Sequence, residues 1–191
     1  MALNVKNKSV VREHRERIIK SASLCIRKKG ICGSSMHDIA AHAQLSVGQV
    51  YRCFESKMKI AQETLKDNMD KQIKLLVEVY SQSDPIDYII TKNIIKNNAH
   101  EQLVYDLKVI FRTESMYYPE LESLLFEQEV RLMEKHSSLV RSAAFIHNYE
   151  SELIFEIIDS LITETTISRN LNRNNYENIS IIYKEIISIK L

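Results

Sequence analysis

Three glycines and two prolines in 191 residues leave this chain few places to turn sharply. A many-stranded sheet needs such residues at turn after turn, so the shortage favours long helices. The length suits either one compact unit with a sizeable core or a small head fused to a larger body.

Charge chooses between these. The whole chain carries only +1, but residues 1 to 59 hold 12 Lys and Arg against 4 Asp and Glu, giving +8, while the remainder holds 14 against 21, giving −7. A basic head on an acidic body points to a polyanionic partner for the head, because phosphate contacts supply most non-specific nucleic-acid affinity. Cys25, Cys32 and Cys53 are odd in number and lack CxxC spacing. With a polar chain start and no secretory signal ahead of them, they read as reduced thiols of a cytoplasmic protein. No apolar run reaches the roughly 18 residues that a membrane span requires, so no membrane partner is expected.

Along the head, Ile18, Ala22, Cys25 and Ile26 fall at helical spacing within a first helix over Val11 to Lys29, closed by Lys28, Lys29 and Gly30. Ser35 followed by Asp38 opens a short second helix that runs through His42, and Ser46 followed by Gln49 opens a third over Val47 to Phe54. Val50 and Phe54 share the packing face of that third helix, which leaves Gln49 and Arg52 pointing away and Val47 and Tyr51 at the margins. A longer helix from Ser56 to about Tyr80, striped with Ala61, Leu65, Met69, Leu76 and Tyr80, leads into the body.

The body reads as further helices. Asp84-Pro85 starts one carrying Ile86, Ile89, Ile90 and Ile94; another covers about Glu101 to Tyr117; and Pro119 starts one that continues to about Ala144. Asn148 and Asn174 are plausible caps of two terminal helices, separated by an Asn-rich loop signal over Arg169 to Asn175. Both are apolar on more than one face, and Ile154, Ile158, Leu161, Ile182 and Ile186 are the residues expected in a homodimer interface.

The segment Arg17 to Ala61 resembles the amino-terminal domain of the tetracycline-repressor (TetR/AcrR) family. The likeness rests on Ile18-Ile19, Ser21-Ala22, Gly30, Ser34-Ser35, Asp38-Ile39-Ala40, Leu45-Ser46-Val47-Gly48, Val50-Tyr51, Phe54 and Ser56-Lys57, in order and ungapped. It implies an all-α protein of about nine helices: a three-helix head with a helix-turn-helix over residues 1–57 and a helical ligand-binding and dimerisation bundle over 58–191. It further implies that the helix opened by Ser46 enters the major groove of double-stranded DNA. Val47, Gly48, Gln49, Tyr51 and Arg52 would then face the duplex, Lys57 would meet its backbone and Ser35 would hold a phosphate. The chemistry suits those roles, since Arg52 matches guanine and Gln49 adenine by paired hydrogen bonds. Lys6, Lys8, Arg12 and Arg15 are candidates for extra phosphate or minor-groove contacts.

Two positions depart from the family's pattern. Gln44 stands where the turn usually has glycine, and Gln49 replaces a small hydroxyl residue. For a small-molecule effector, Tyr105, Phe111, Glu114, Met116, Tyr117, Phe126 and Met133 are the pocket candidates, with Glu114 among aromatics suggesting a cationic or hydrogen-bond-donating ligand. No metal set, phosphate loop, nucleophile elbow or cofactor motif is recognisable, so an enzyme is disfavoured. A helical adaptor that binds only protein is the other rival, and the basic head argues against it.

Overall fold

The computed structural model describes the backbone of residues 2–82, 88 and 99–142 and scattered helical positions between 156 and 170, with side chains from Ser9 onward. These residues form six α-helices and one 3-10 turn, with no strand among them. The helices are α1 (Ala2–Gly33), α2 (Met36–Ala43), α3 (Val47–Cys53), α4 (Lys57–Tyr80), α5 (Ala99–Glu114) and α6 (Pro119–Ser142), and the 3-10 turn spans Ser115–Tyr117. Apart from Tyr88 and those scattered positions, the expected helix over Ile86 to Ile94 and both terminal helices lie outside the described residues, as do all five interface candidates Ile154, Ile158, Leu161, Ile182 and Ile186.

Two compact units emerge, one comprising Met1–Asn68 with Ile110–Leu125 and the other Met69–Val109 with Phe126–Leu191. In the first, Ile18, Ala22, Cys25 and Ile26 of α1 are buried together with Ile39, Ala40 and Ala43 of α2, Val50 and Phe54 of α3 and its cap, Ile60 and Leu65 of α4, and Phe111 and Leu121. Each Ile, Leu, Val or Phe side chain among these contributes about 1.5 to 3 kcal/mol when fully removed from water. The helical stripe read from the sequence is thus the packed face.

Helix α1 starts at Ala2, well before the first periodic apolar residue, and Val10 and Val11 remain exposed. Its other end is broken at Gly30, where φ is 73° and ψ 177°. That conformation favours glycine. A side chain there would also collide with the Glu114 carboxylate, whose Oε2 accepts a 2.7 Å hydrogen bond from the Ile31 backbone N–H. Helix α5 ends at Glu114 rather than continuing to Tyr117, and the backbone tightens into the 3-10 turn before Tyr118 becomes extended at φ −137°. Pro119 accounts for this, because its ring excludes the helical conformation from the residue before it.

In the second unit, Val104, Tyr105, Leu107, Leu132 and Val140 are buried with several polar groups. Asp106 accepts bonds from Gln102 Nε2 and Asn170 Nδ2, both at 2.9 Å, and Lys108 pairs with Asp159. Tyr80 and His136 meet edge to face with the Tyr80 hydroxyl 2.6 Å from His136 Nε2. Burial holds the His136 pKa down at about 4.

Candidate nucleic-acid interface

The geometry around α2 and α3 is set by local chemistry. Ser35 caps α2: its Oγ accepts from the Asp38 N–H at 3.0 Å, and Asp38 Oδ2 accepts from the Ser35 N–H at 3.0 Å and from the Ser35 hydroxyl at 2.7 Å. Lys29, at 2.7 Å, and Ser35 hold the Asp38 carboxyl well below the usual carboxylate range. The Ser35 hydroxyl proton is therefore engaged within the chain, so a phosphate arriving here would meet the first backbone N–H groups of α2 unless that bond exchanges.

Helix α2 closes in a Schellman motif, with the Leu45 N–H bonded to Ala40 O at 3.0 Å and the Gln44 N–H to Ala41 O at 3.1 Å. Gln44 takes the left-handed conformation this motif demands, at φ 54° and ψ 44°, despite having a side chain. The conformation costs about 1 kcal/mol for a residue other than glycine. Arg17 offsets part of that cost by donating from Nη2 to Ala43 O at 2.5 Å and Gln44 O at 3.2 Å.

Ser46 then caps α3, with Oγ accepting from the Gln49 N–H at 3.2 Å and Gln49 Oε1 accepting from the Ser46 N–H at 2.8 Å. Val50 is fully buried and Phe54, buried to 2% exposure, ends the helix in an extended conformation. Arg15 clamps this end: Nη1 donates to Cys53 O at 2.6 Å, the guanidinium lies 4.1 Å over the Phe54 ring, and Nη2 approaches Glu63 of α4 at 3.8 Å. The sequence suggested Arg15 as a phosphate or minor-groove contact. In the structure it seats the third helix instead, as Arg17 seats the turn. Nothing in the sequence could flag these roles, because their partners are backbone carbonyls 38 and 26 residues away.

The outward side of α3 carries the remaining candidates. Ser46, Gly48, Tyr51 and Arg52 are exposed and Val47 and Gln49 half-buried, with Tyr51 at 54% exposure although it is a large aromatic. A Cβ placed on Gly48 would meet nothing within 4 Å, so no intramolecular packing requires glycine there. Lys57 is half-buried and donates to Cys32 O at 3.1 Å, while Arg12 pairs with Glu16 at 3.7 Å. Of the cations around α3, Arg15, Arg17, Lys29 and Lys57 are bonded within the chain and Arg52 projects outward.

The seven effector-pocket candidates divide between the two compact units. Phe111, Glu114, Met116 and Tyr117 belong to the first unit and Tyr105, Phe126 and Met133 to the second. Phe111 and Tyr105 are buried, whereas Met116, Tyr117 and Phe126 are 69 to 76% exposed and Met133 is also exposed. The Glu114 carboxylate, read from the sequence as an acid awaiting a cationic ligand, is bonded to Ile31. Among the described residues no group of three or more His, Cys, Asp or Glu side chains is placed to hold a metal ion, and no helix is long and apolar enough to cross a membrane.

Two short capped helices joined by a Schellman turn, clamped onto a first helix and leaving one face of the second outward, define a helix-turn-helix head. The family model for bacterial regulatory proteins of the tetR family matches residues 18–64. The chain is 28% identical over 167 residues to the uncharacterized HTH-type transcriptional regulator YerO of Bacillus subtilis, in a match covering 75% of this chain and 57% of that relative's length. Its fold is shared with a Rhodococcus protein assigned to the TetR family, at a TM-score of 0.74 and 15% identity over 94% of this chain and 98% of the other. A protein from Saccharomonospora viridis assigned as a transcriptional regulator and solved in complex with choline matches at 0.72 and 19% identity, covering 93% and 96%. Residues 18–64 thus carry the sequence of a tetR-family amino-terminal domain, and the chain shares its fold with regulators of that kind.

Proposed function

We propose that this chain is a sequence-specific DNA-binding transcription regulator of the cytoplasm, acting as a homodimer on a near-palindromic site and repressing from it. The observation that carries the reading is the outer face of α3, where a glycine under open space, an exposed tyrosine and an outward arginine stand together on a helix held rigidly from behind. A glycine in the first turn of α3 leaves room for close approach, and on this face the DNA backbone or a base edge is what would use it. Arg52 and Gln49 read bases, Val47, Gly48 and Tyr51 shape the contact, and Lys57, Ser35 and Ser46 lie along the phosphate track. The excess of 12 basic over 4 acidic residues in the first 59 supplies the long-range attraction.

The dimer would rest on the two terminal helices through Ile154, Ile158, Leu161, Ile182 and Ile186, holding the heads for half-sites about 34 to 36 Å apart or a multiple of that. A small molecule bound in the body would change that separation and release the operator. The function proposed is binding and not catalysis.

Titrating the protein with duplex DNA at increasing salt tests this directly. A DNA reader loses affinity steeply and linearly on a log–log plot as counterion release weakens. Absence of duplex binding at low salt would refute the reading in favour of a protein-binding adaptor. For the dimer, Ile158→Glu or Ile186→Glu should halve the mass seen by light scattering while circular dichroism retains the helices, because a charge buried in a two-fold interface is counted twice. A variant that stays dimeric with full affinity would place the interface elsewhere.

A further inference from the structure

We propose that Gln49 reads a guanine in each half-site, as a hydrogen-bond donor through its amide nitrogen, and discriminates against adenine. This rests on the DNA-reading function above and narrows it to a base. Glutamine ordinarily suits adenine, because its carbonyl accepts from N6 while its amide donates to N7. Here the two ends of the side chain are not equivalent. Oε1 accepts the Ser46 N–H at 2.8 Å, and that bond fixes the orientation of the amide, since only the oxygen can accept from a backbone N–H. The carbonyl is thereby turned back toward the start of α3, and Nε2, with two N–H donors and no partner among the described residues, becomes the outward end.

A donor-only group prefers the base edge with the most acceptors. In the major groove guanine presents N7 and O6 side by side, whereas adenine sets its N6 amino donor beside N7 and would oppose Nε2 with a like group. Arg52, one turn further along the helix and also donor-only, strengthens the pattern: the polar reading face of α3 offers donors, so it seeks acceptors. The capping box, a device of helix termination, doubles as the element that selects which face of Gln49 is shown to DNA.

The test uses the full chain in three forms, wild type, Gln49→Glu and Gln49→Ala, each used to select from a random duplex pool. Glutamate is the favoured partner of an N-cap serine, so Gln49→Glu keeps the cap and the fold while replacing the outward donor with an acceptor. Circular dichroism verifies that the helices persist. The wild type is expected to select guanine at one position of each half-site, by about 3- to 10-fold over adenine, as one hydrogen bond provides. Gln49→Ala should lose preference at that position alone, and Gln49→Glu should shift it to cytosine, whose N4 donates. Substituting deaza-guanine, which lacks the N7 acceptor, at that position should weaken the wild type and leave Gln49→Ala unchanged. Adenine at the position that Gln49→Ala relaxes, or a motif identical in all three proteins, would overturn the assignment to guanine. No enriched sequence with any of the three would refute DNA reading itself, and the proposal with it.

Discussion

Gly48 allows stability and function to be separated in one substitution. Its backbone is helical, its conformation is open to any residue, and a Cβ would touch nothing within 4 Å. Gly48→Ala should therefore stabilise the folded head by about 0.5 to 1 kcal/mol through helix propensity alone. If the head unfolds as a two-state unit, that is a rise in midpoint of a few degrees, roughly 2 to 8 °C. The same methyl group, standing on the side offered to DNA, would wedge between α3 and the duplex. Overfilling a packed interface costs about 1 to 3 kcal/mol, or roughly 5- to 150-fold in affinity. Thermal melting followed by circular dichroism and duplex titration at fixed salt read the two effects separately. A more stable protein that binds DNA as tightly as its parent would show that nothing approaches Gly48 and that the outer face of α3 is not the reading surface. A less stable protein would refute the structural premise.

Arg52→Ala should weaken binding to the selected operator by about 1 to 3 kcal/mol with little change on random duplex, whereas Lys57→Ala should weaken both, as competition titrations with the two duplexes would report. Gln44→Gly relieves the left-handed strain of the turn and should raise stability by up to about 1 kcal/mol in urea titrations; a decrease would mean that the side chain contributes more than its backbone costs. His136 titrates at about 4 in the fold against 6.5 when unfolded, so the unfolded chain takes up the proton first as pH falls. The stability held above pH 6.5 is lost progressively between 6.5 and about 4, by up to about 3 kcal/mol. Denaturant titrations at pH 7 and pH 5 should show a smaller loss for His136→Leu than for the wild type, and equal losses would exclude His136 as the source.

What could be read from the sequence was what is encoded over three or four residues. Ser35 with Asp38 and Ser46 with Gln49 declare their helix starts because both partners of each box are side chains at fixed spacing. Val50 and Phe54 declare the buried face for the same reason. The early start of α1 left no signal, since its exposed first turns carry no apolar stripe. Arg15 and Arg17 looked like any other cations of a basic segment, and only the folded chain brings Cys53 O and Ala43 O to them. Glu114 misled for a related reason: its sequence neighbours Phe111, Met116 and Tyr117 suggested an aromatic pocket, yet its partner is a backbone N–H 83 residues earlier.

That last contact bears on the order in which the protein is made. The break in α1 at Gly30 is completed by a carboxylate from the end of α5, and Phe111 and Leu121 lie in the same compact unit as the head helices. A ribosome releasing the chain from its amino end therefore exposes α1, α2 and α3 long before the residues that finish their packing have been synthesised. Contacts this distant in sequence form late and slowly. A fragment ending at Lys57 should accordingly exchange its Ile31 amide hydrogen far faster than the full chain does, and the packing of the first three helices is complete only after residue 121 has emerged.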